Sequence, residues 1–226
     1  MVPFLGDHFF TLARAISHIM FPTILYFLAL AISQPKHTQV LAASNVQLAS
    51  RSLSMEDRYD VPSVNTVFKD NILLGLHYMG GDITAKNQVS WDNIEKPYAY
   101  KFTLQPGQEF AFHDAILPKY TNVVKTTNAH YDSAEGFKSD GFLVGDGVCH
   151  FASIIYWAAK DAGLESYAPS NHNFAKINDV PKEYGVAIES PMPMGNLYIT
   201  NNKDKAITFE FNYDGSNLTV NVTEAN

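Results

Sequence analysis

The sequence predicts an α+β fold in which a small antiparallel sheet packs around a central helix that begins at a cysteine. Apolar residues recur at helical spacing over residues 64–79. Short segments of alternating polarity follow residue 97, and Asp214-Gly215 separates the last two of them as a hairpin turn. The order of helix, strands, helix and strands is typical of α+β proteins rather than of a parallel sheet.

The individual elements follow from local signals. Gly80-Gly81 ends the first helix, and residues 98–104 alternate as a strand. Gln105-Pro106-Gly107-Gln108 fits a type II turn, and residues 118–140 are polar and mostly loop. The strongest helix runs from Cys149 to Ala162, with Gly163 after its end. The further strand candidates are residues 109–112, 174–177, 186–188, 197–200, 206–212 and 218–222.

Composition restricts the class of protein. The 226 residues include 16 Lys+Arg and 23 Asp+Glu, which gives a net charge of −7, and 46% are hydrophobic. This apolar content excludes a disordered chain. The acidic balance argues against nucleic acid as a partner, because phosphate binding needs a basic face. With a single cysteine, no disulfide can form within the chain.

The N-terminal segment is strongly apolar. Residues 19–32 carry no charge, and Arg14 precedes them. This pattern predicts that residues 1–33 form an apolar helix that serves as a signal peptide or membrane anchor, with a buried core helix as the alternative. We therefore expect an extracytoplasmic location, with membrane contact through this helix. Residues 34–60 are predicted to be a linker running into a short helix, and residues 61–226 a single domain.

Cys149 follows a glycine-rich approach and opens a helix, where unpaired N–H groups and the helix dipole favour a thiolate. The same N–H groups suit an oxyanion hole. His172 lies 23 residues later, before a predicted strand. A cysteine at a helix start with a later histidine is the layout of papain-like and transglutaminase-like thiol enzymes. The alternative is a buried structural cysteine and a structural histidine.

The residues around this pair complete the predicted site. Asn173 is the predicted third catalytic residue that orients His172, and Asn171, Asp179 and Glu189 are alternatives near it in sequence. Gly145 and Gly147 leave room for the substrate backbone to approach. The predicted substrate-binding residues are Gly145, Asp146, Gly147 and His150.

A histidine-rich pattern suggests a second kind of site. His113, His130 and His150 fall within 60 residues, and imidazole is a ligand that zinc prefers. No tight C-x-x-C or H-x-x-x-H spacing accompanies them. We therefore expect no cofactor, and zinc is kept as the alternative.

Two motifs resemble a known family. Gln105-Pro106-Gly107-Gln108-Glu109-Phe110-Ala111-Phe112 is similar to the PGE-x-FSF signature of VanW-like proteins. Gly145-Asp146-Gly147-Val148-Cys149-His150-Phe151-Ala152-Ser153 resembles their GGGVCQVST signature, and the later His172 continues the order. The resemblance covers about residues 97–200, and it implies an exported or membrane-anchored bacterial envelope protein of unestablished activity.

The sequence also differs from the family motifs at several positions. Asp146 replaces a glycine of the family, and His150 replaces a glutamine. Val180-Pro181 matches the start of the family's VP-x-G-x-DA stretch, but Gly185 falls where the acid belongs. A Cys-His-Asp triad is therefore incomplete by simple transfer, which indicates a divergent branch.

Three functions remain open at this point. The first is a thiol-dependent hydrolase or acyltransferase acting on cell-wall peptides. The second is a non-catalytic envelope module that binds wall polymer or a protein partner. The third is a metal-binding protein that uses the histidines. The first requires Cys149 and His172 to share an open cleft within hydrogen-bonding reach.

Overall fold

The computed structural model describes residues 45–226, which contain two four-stranded sheets. The first sheet is antiparallel throughout, and its order is β1-β8-β7-β2. The hairpin between its last two strands turns at Asp214-Gly215, as predicted. Its strands are β1 (Val46–Ser54), β2 (Tyr98–Leu104), β7 (Ile207–Tyr213) and β8 (Asn217–Glu224).

The second sheet is mixed, which differs from the single antiparallel sheet that the sequence predicts. Its order is β4-β3-β6-β5, and the β3–β4 pair is parallel. Each of its strands has only three residues, too few to show a clear alternation in the sequence. The strands are β3 (Glu109–Ala111), β4 (Val123–Lys125), β5 (Glu165–Tyr167) and β6 (Tyr198–Thr200).

The two predicted helices are confirmed, and the structure adds a short helix that lies between them in the sequence. Helix α1 spans Pro62–Gly80 and ends at Gly81, whose φ of 86° is the left-handed conformation that glycine favours. Helix α2 is a single turn, Trp91–Ile94, and α3 spans Val148–Asp161. The second half of α1 is buried without interruption, so this helix lies inside the domain. Helix α3 packs on α1, β1 and β8.

Aromatic side chains join the two sheets and α3 in one core. Phe102 of β2 stacks on Phe209 of β7 at 5.2 Å and on Phe110 of β3 at 5.3 Å between ring centroids. Phe151 of α3 meets Phe112 edge to face at 5.7 Å and Phe211 at 6.0 Å. Such pairs add to the free energy that burial of the rings already contributes. These ring contacts of Phe151 hold helix α3 against the rest of the core.

The predicted linker is wrong for residues 46–54, which form the edge strand β1. This strand pairs with β8 along its whole length. Only Ala49 and Leu53 of β1 are buried, and an irregularity in register between Gln47 and Ala49 breaks the alternation of polar and apolar residues. The sequence therefore lacks the period-2 signal that would have marked the strand.

Two other predicted strands are also wrong. Residues 174–177 form bends and coil, and residues 186–188 contribute only an isolated bridge between Val186 and Asn171. The backbone groups of both segments make contacts other than a ladder, with the Ala175 carbonyl bonded to His172 and residues 186–188 bonded to α3. One such contact is the main-chain N–H of Val186, which donates to the Ser153 hydroxyl of α3 at 2.9 Å.

The predicted N-terminal apolar helix lies outside the described residues, as does the first part of the predicted linker. Among residues 45–226, none of the helices combines the length and the apolar character needed to cross a bilayer.

Candidate functional site

Gly145 and Gly147 precede Cys149 where the protein's own backbone segments pack closely, whereas the sequence analysis predicts that they leave room for the substrate. Gly147, the residue before α3, has a φ of 95°, and a Cβ there would lie 2.5 Å from the carbonyl oxygen of Phe68 in α1. A Cβ at Gly145 would lie 2.9 Å from the carbonyl oxygen of Tyr131. Both glycines are thus needed for close packing of the protein's own backbone, and Gly145 and Gly147 also line the cleft described below.

Cys149 is half-buried in the first turn of α3, and its sulfur faces the main chain of Ile188. The N–H of Ile188 donates a hydrogen bond to Sγ at 3.4 Å. Burial raises the pKa of the thiol, the charge of Asp146 adds to this, and the Ile188 N–H opposes it. The predicted lowering of the thiol pKa is therefore wrong, because desolvation outweighs the two backbone N–H groups, of Ile188 and Cys149, that lower it.

The backbone N–H of Cys149 faces its own sulfur and lowers the thiol pKa, whereas the N–H groups on either side of it donate to backbone carbonyls. The Val148 N–H donates to Gly145 at 3.1 Å, and the His150 N–H donates to Gly147 at 3.0 Å. One N–H group without a carbonyl partner among the described residues therefore lies beside the sulfur. This is the position in which an oxyanion hole needs one.

His172 is buried, and its ring is oriented by the main chain. Nδ1–H donates to the carbonyl of Ala175 at 3.2 Å, which leaves Nε2 with a lone pair. Burial lowers the pKa of His172, so the ring is neutral at pH 7. Asn173 is exposed and, in the described part of the chain, makes no hydrogen bond to this ring. The group that orients the ring in this structure is therefore the Ala175 carbonyl, and a role for Asn173 stays a prediction.

Gly185 also lies against His172, at the position where the family pattern has an acid. The N–H of His172 donates to the Gly185 carbonyl at 3.0 Å, and a Cβ on Gly185 would be 3.3 Å from the His172 Cβ. A carboxylate at this position would therefore start next to the imidazole. The chain has neither that carboxylate nor a hydrogen bond between Cys149 and His172 among its described residues.

Cys149 and His172 nevertheless line the same cleft. We call it the aromatic cleft; it has a volume of about 230 Å³. A second cleft, of about 570 Å³, adjoins it at Cys149, and we call it the polar cleft. The residues that border both clefts are Leu143, Val144, Gly145, Cys149, Phe174 and Ile188. The polar cleft is also lined by His130, Asp132, Ser133, Glu189 and Ser190.

His150 is almost fully buried in the wall of the aromatic cleft, with 4% of its surface exposed. Its ring meets Phe68 edge to face at 5.1 Å and His172 at 6.2 Å. Burial, with the nearby charge of Arg58, lowers its pKa to about 3. Its Nδ1 is buried and has no hydrogen-bond partner among the described residues. A buried polar atom without a partner is uncommon and calls for a ligand or a water.

Asp146 also lines the aromatic cleft, and it is held from two sides. Its backbone carbonyl accepts a hydrogen bond from Nδ2 of Asn71 at 2.9 Å, and its carboxylate accepts the N–H of Asp140 at 3.2 Å. Burial raises the pKa of this carboxyl group. The predicted substrate-binding residues Gly145, Asp146, Gly147 and His150 thus all border one cleft.

Arg58 is a residue of this cleft that the sequence analysis missed. Its side chain is fully buried, pairs with Asp179 and donates to the carbonyls of Ser54 and Asn178. Arg58 lies in the predicted linker, where a single arginine does not indicate a functional site. Asp179, one of the alternatives for orienting His172, is engaged by Arg58 instead.

The three histidines of the metal alternative do not come together. His113 is buried and fully used by the main chain, since Nε2–H donates to Gly195 at 2.8 Å and Nδ1 accepts the Ala115 N–H at 3.3 Å. His130 is exposed between two carboxylates, and His150 lies in the aromatic cleft. Over residues 45–226, no group of three His, Cys, Asp or Glu side chains is arranged to hold a metal ion.

The comparison with protein families identifies the class. The model of the VanW-like family, described as VanW like protein, matches residues 96–223, more than half of the 226 residues. The chain therefore belongs to the VanW-like family. No curated protein and no solved structure matches it. Cys149 and His172 lie within the matched residues, whereas Arg58 precedes them.

Proposed function

We propose that this VanW-like protein is a thiol-dependent hydrolase or acyltransferase of the bacterial cell envelope, and that it acts on cell-wall peptides. The observation that carries the proposal is the position of Cys149 at the junction of two clefts, one of which contains a neutral, main-chain-oriented His172. A peptide crossing this junction would present a carbonyl to the sulfur. This arrangement follows the general layout of a papain- or transglutaminase-like site.

The chemistry begins from two neutral groups. Because the thiol pKa is raised and the His172 pKa is lowered, the resting pair is thiol and imidazole rather than thiolate and imidazolium. During attack, His172 Nε2 takes the thiol proton while the C–S bond forms, and the carbonyl becomes an oxyanion that accepts a hydrogen bond from the Cys149 N–H. Collapse breaks the C–N bond, and the leaving amine takes the proton from His172.

The resulting thioester is resolved in the same site. Water or an acceptor amine gives its proton to His172 Nε2 and attacks the acyl carbon, and the C–S bond then breaks with return of the proton to sulfur. With water as the acceptor the protein acts as a hydrolase, and with an amine as the acceptor it acts as an acyltransferase. In either case Sγ must turn from Ile188 toward the cleft before it attacks.

The proposed location rests on the sequence. The uncharged run of residues 19–32 is the type of segment that directs export or anchors a protein. An extracytoplasmic protein would meet wall polymer and its peptides as partners.

The test is a digestion experiment with the full chain. Wall fragments that carry stem peptides are incubated with the wild type, Cys149→Ser, His172→Ala and the control His113→Asn, and products are identified by mass spectrometry. We expect release or transfer of peptides by the wild type, loss of activity in the first two variants, and retained activity in the folded control. Wild-type protein inactive on all fragments, or Cys149→Ser as active as wild type, would refute the proposal.

A second candidate is a non-catalytic module that binds wall polymer or a protein partner. The raised thiol pKa and the lack of a Cys149–His172 hydrogen bond favour it. The digestion experiment separates the two. A binding module would retain wall binding in Cys149→Ser, and the wild type would release no product.

A further inference from the structure

The aromatic cleft is lined by five ring side chains that form a continuous row. Ring centroids lie 5.4 Å apart for Tyr59–Phe68, 5.1 Å for Phe68–His150, 6.2 Å for His150–His172 and 4.0 Å for His172–Phe174. Tyr59 and Phe174, at the two ends of the row, are 49% and 75% exposed, while the two histidines are buried. Large exposed rings on both sides of a cleft indicate a surface that contacts a ligand.

The occupant must also satisfy hydrogen-bonding groups. Both rings of the histidine pair are neutral, and Nδ1 of His150 is buried without a partner among the described residues. Asp146 and Lys176 add a carboxylate and an ammonium group to the same cleft. A purely hydrocarbon group would leave these polar atoms unpaired, which is unfavourable once water is displaced. The occupant therefore has both apolar faces and hydroxyl or amide groups.

We propose that the aromatic cleft binds a pyranose ring, so that the substrate of this protein is a sugar-linked peptide. The proposal rests on the proposed function for its peptide half. A pyranose ring presents C–H faces to aromatic rings and hydroxyl groups to His150 and Asp146. A volume of about 230 Å³ is that of a compact site for one ring rather than for an extended chain.

The polar cleft then accommodates the peptide. It is more than twice as large and carries the hydroxyl and carboxylate groups of Ser133, Ser190, Asp132 and Glu189. Because both clefts border Cys149, the amide that reaches the sulfur is the one near the junction of sugar and peptide. The structure thus assigns the sugar to the cleft that contains His172 and the peptide to the cleft that contains His130.

The experiment measures sugar binding separately from catalysis. The full chain carrying Cys149→Ser is titrated with N-acetylglucosamine and with its β-1,4-linked dimer, and binding is followed by saturation-transfer NMR and calorimetry. The test variant is Phe174→Ala, and the matched control is Phe142→Ala. Phe142 is 92% exposed and borders neither cleft, so both substitutions remove an exposed phenylalanine without disturbing the core.

We expect saturable binding of the sugars that is about five- to tenfold weaker in Phe174→Ala, the effect of losing one ring contact, and unchanged in Phe142→Ala. Phe174 borders the polar cleft as well, whereas His150 borders only the aromatic cleft of the two, so weaker sugar binding in His150→Gln is the result that locates the sugar in the aromatic cleft. Absence of sugar binding, or equal binding by the two phenylalanine variants, would overturn the proposal. Sugar binding without any Cys149-dependent product would refute the proposed enzyme and leave the sugar site standing. Turnover of peptides without sugar binding would refute the sugar site and leave the proposed enzyme standing.

Discussion

The main-chain N–H of Ile188 donates a hydrogen bond to the Cys149 sulfur at 3.4 Å. This contact joins the start of α3 to the segment that follows the isolated Asn171–Val186 bridge. It holds the sulfur at the boundary of two clefts in a neutral state, because burial raises the thiol pKa more than the hydrogen bond lowers it. The thiol of Cys149 is therefore not ionised in advance, and the proposed function starts from a neutral sulfur.

The first prediction concerns the glycine before α3. Gly147→Ala would bring a Cβ to 2.5 Å from the Phe68 carbonyl oxygen at a φ of 95°, so α1 and α3 must separate. Gly107→Ala is the control, because its φ is 76° and a Cβ there would meet nothing within 4 Å. We expect about 1 kcal/mol of destabilisation for the control, the cost of the left-handed conformation alone.

For Gly147→Ala we expect a loss of about 3 kcal/mol or more, since steric overlap adds to that cost. Urea denaturation of the two variants measures the difference. Equal stabilities would show that the close approach of α1 and α3 is not needed.

The second prediction concerns Asn71, a fully buried residue of α1 that holds the loop before Cys149. Its Oδ1 accepts the Lys138 N–H at 2.8 Å, and its Nδ2 donates to the carbonyls of Lys138 at 3.0 Å and Asp146 at 2.9 Å. Asn71→Ala leaves these backbone groups unpaired and should destabilise the protein by about 3 kcal/mol.

Asn93→Ala serves as its control, because Asn93 is exposed and bonds only the Lys96 side chain among its side-chain contacts. A change within about 0.5 kcal/mol is expected there. Thermal unfolding measures both. An Asn71→Ala protein as stable as the wild type would contradict the role given to this residue.

The third prediction uses two histidines whose pKa values shift in opposite directions. The pKa of His150 is lowered to about 3 by burial, so the unfolded chain binds a proton here that the folded chain does not. The stability from this residue is present above about pH 6.5 and is lost as the pH falls from there toward 3. His150→Gln should therefore weaken the decline of stability in acid.

His130 behaves in the reverse way, because Glu135 above all, and Asp114, raise its pKa. Its contribution is present below the unfolded pKa and is lost as the pH rises through the raised value. His130→Gln should reduce stability in acid and have no effect at high pH. Melting temperatures from pH 4 to 9 test both variants, and parallel pH profiles for wild type and both variants would contradict these assignments.

The elements with long, regular patterns could be predicted from the sequence. Helices α1 and α3 show helical spacing and end at glycines, and β2, β7 and β8 alternate over at least seven residues. In the second sheet, β3 and β6 lie within the predicted strands 109–112 and 197–200, whereas β4 and β5, of three residues each, show no pattern from which they could be predicted. Strand β1 was read as linker, because its irregular register disrupts the alternation.

The site was predictable only in part. Proximity in sequence and the family motifs brought Gly145, Asp146, Gly147, Cys149, His150 and His172 together, and all of them border one cleft. Arg58 enters the cleft from a segment 91 positions before Cys149, which no local pattern reveals. The direction of the thiol pKa shift also depends on burial by Ile188 and its neighbours. It could therefore not be inferred from the position of Cys149 at a helix start alone.

The measurement that tests the central claim most directly is the alkylation of Cys149 by iodoacetamide in the folded full chain across pH 6–11, with His172→Ala in parallel. The account predicts labelling of the folded protein at an apparent pKa above the ~8.5 of a free thiol, and little change of that pKa in His172→Ala. Labelling only after denaturation would contradict an accessible nucleophile. An apparent pKa well below ~8.5 that rises in His172→Ala would contradict the neutral resting pair.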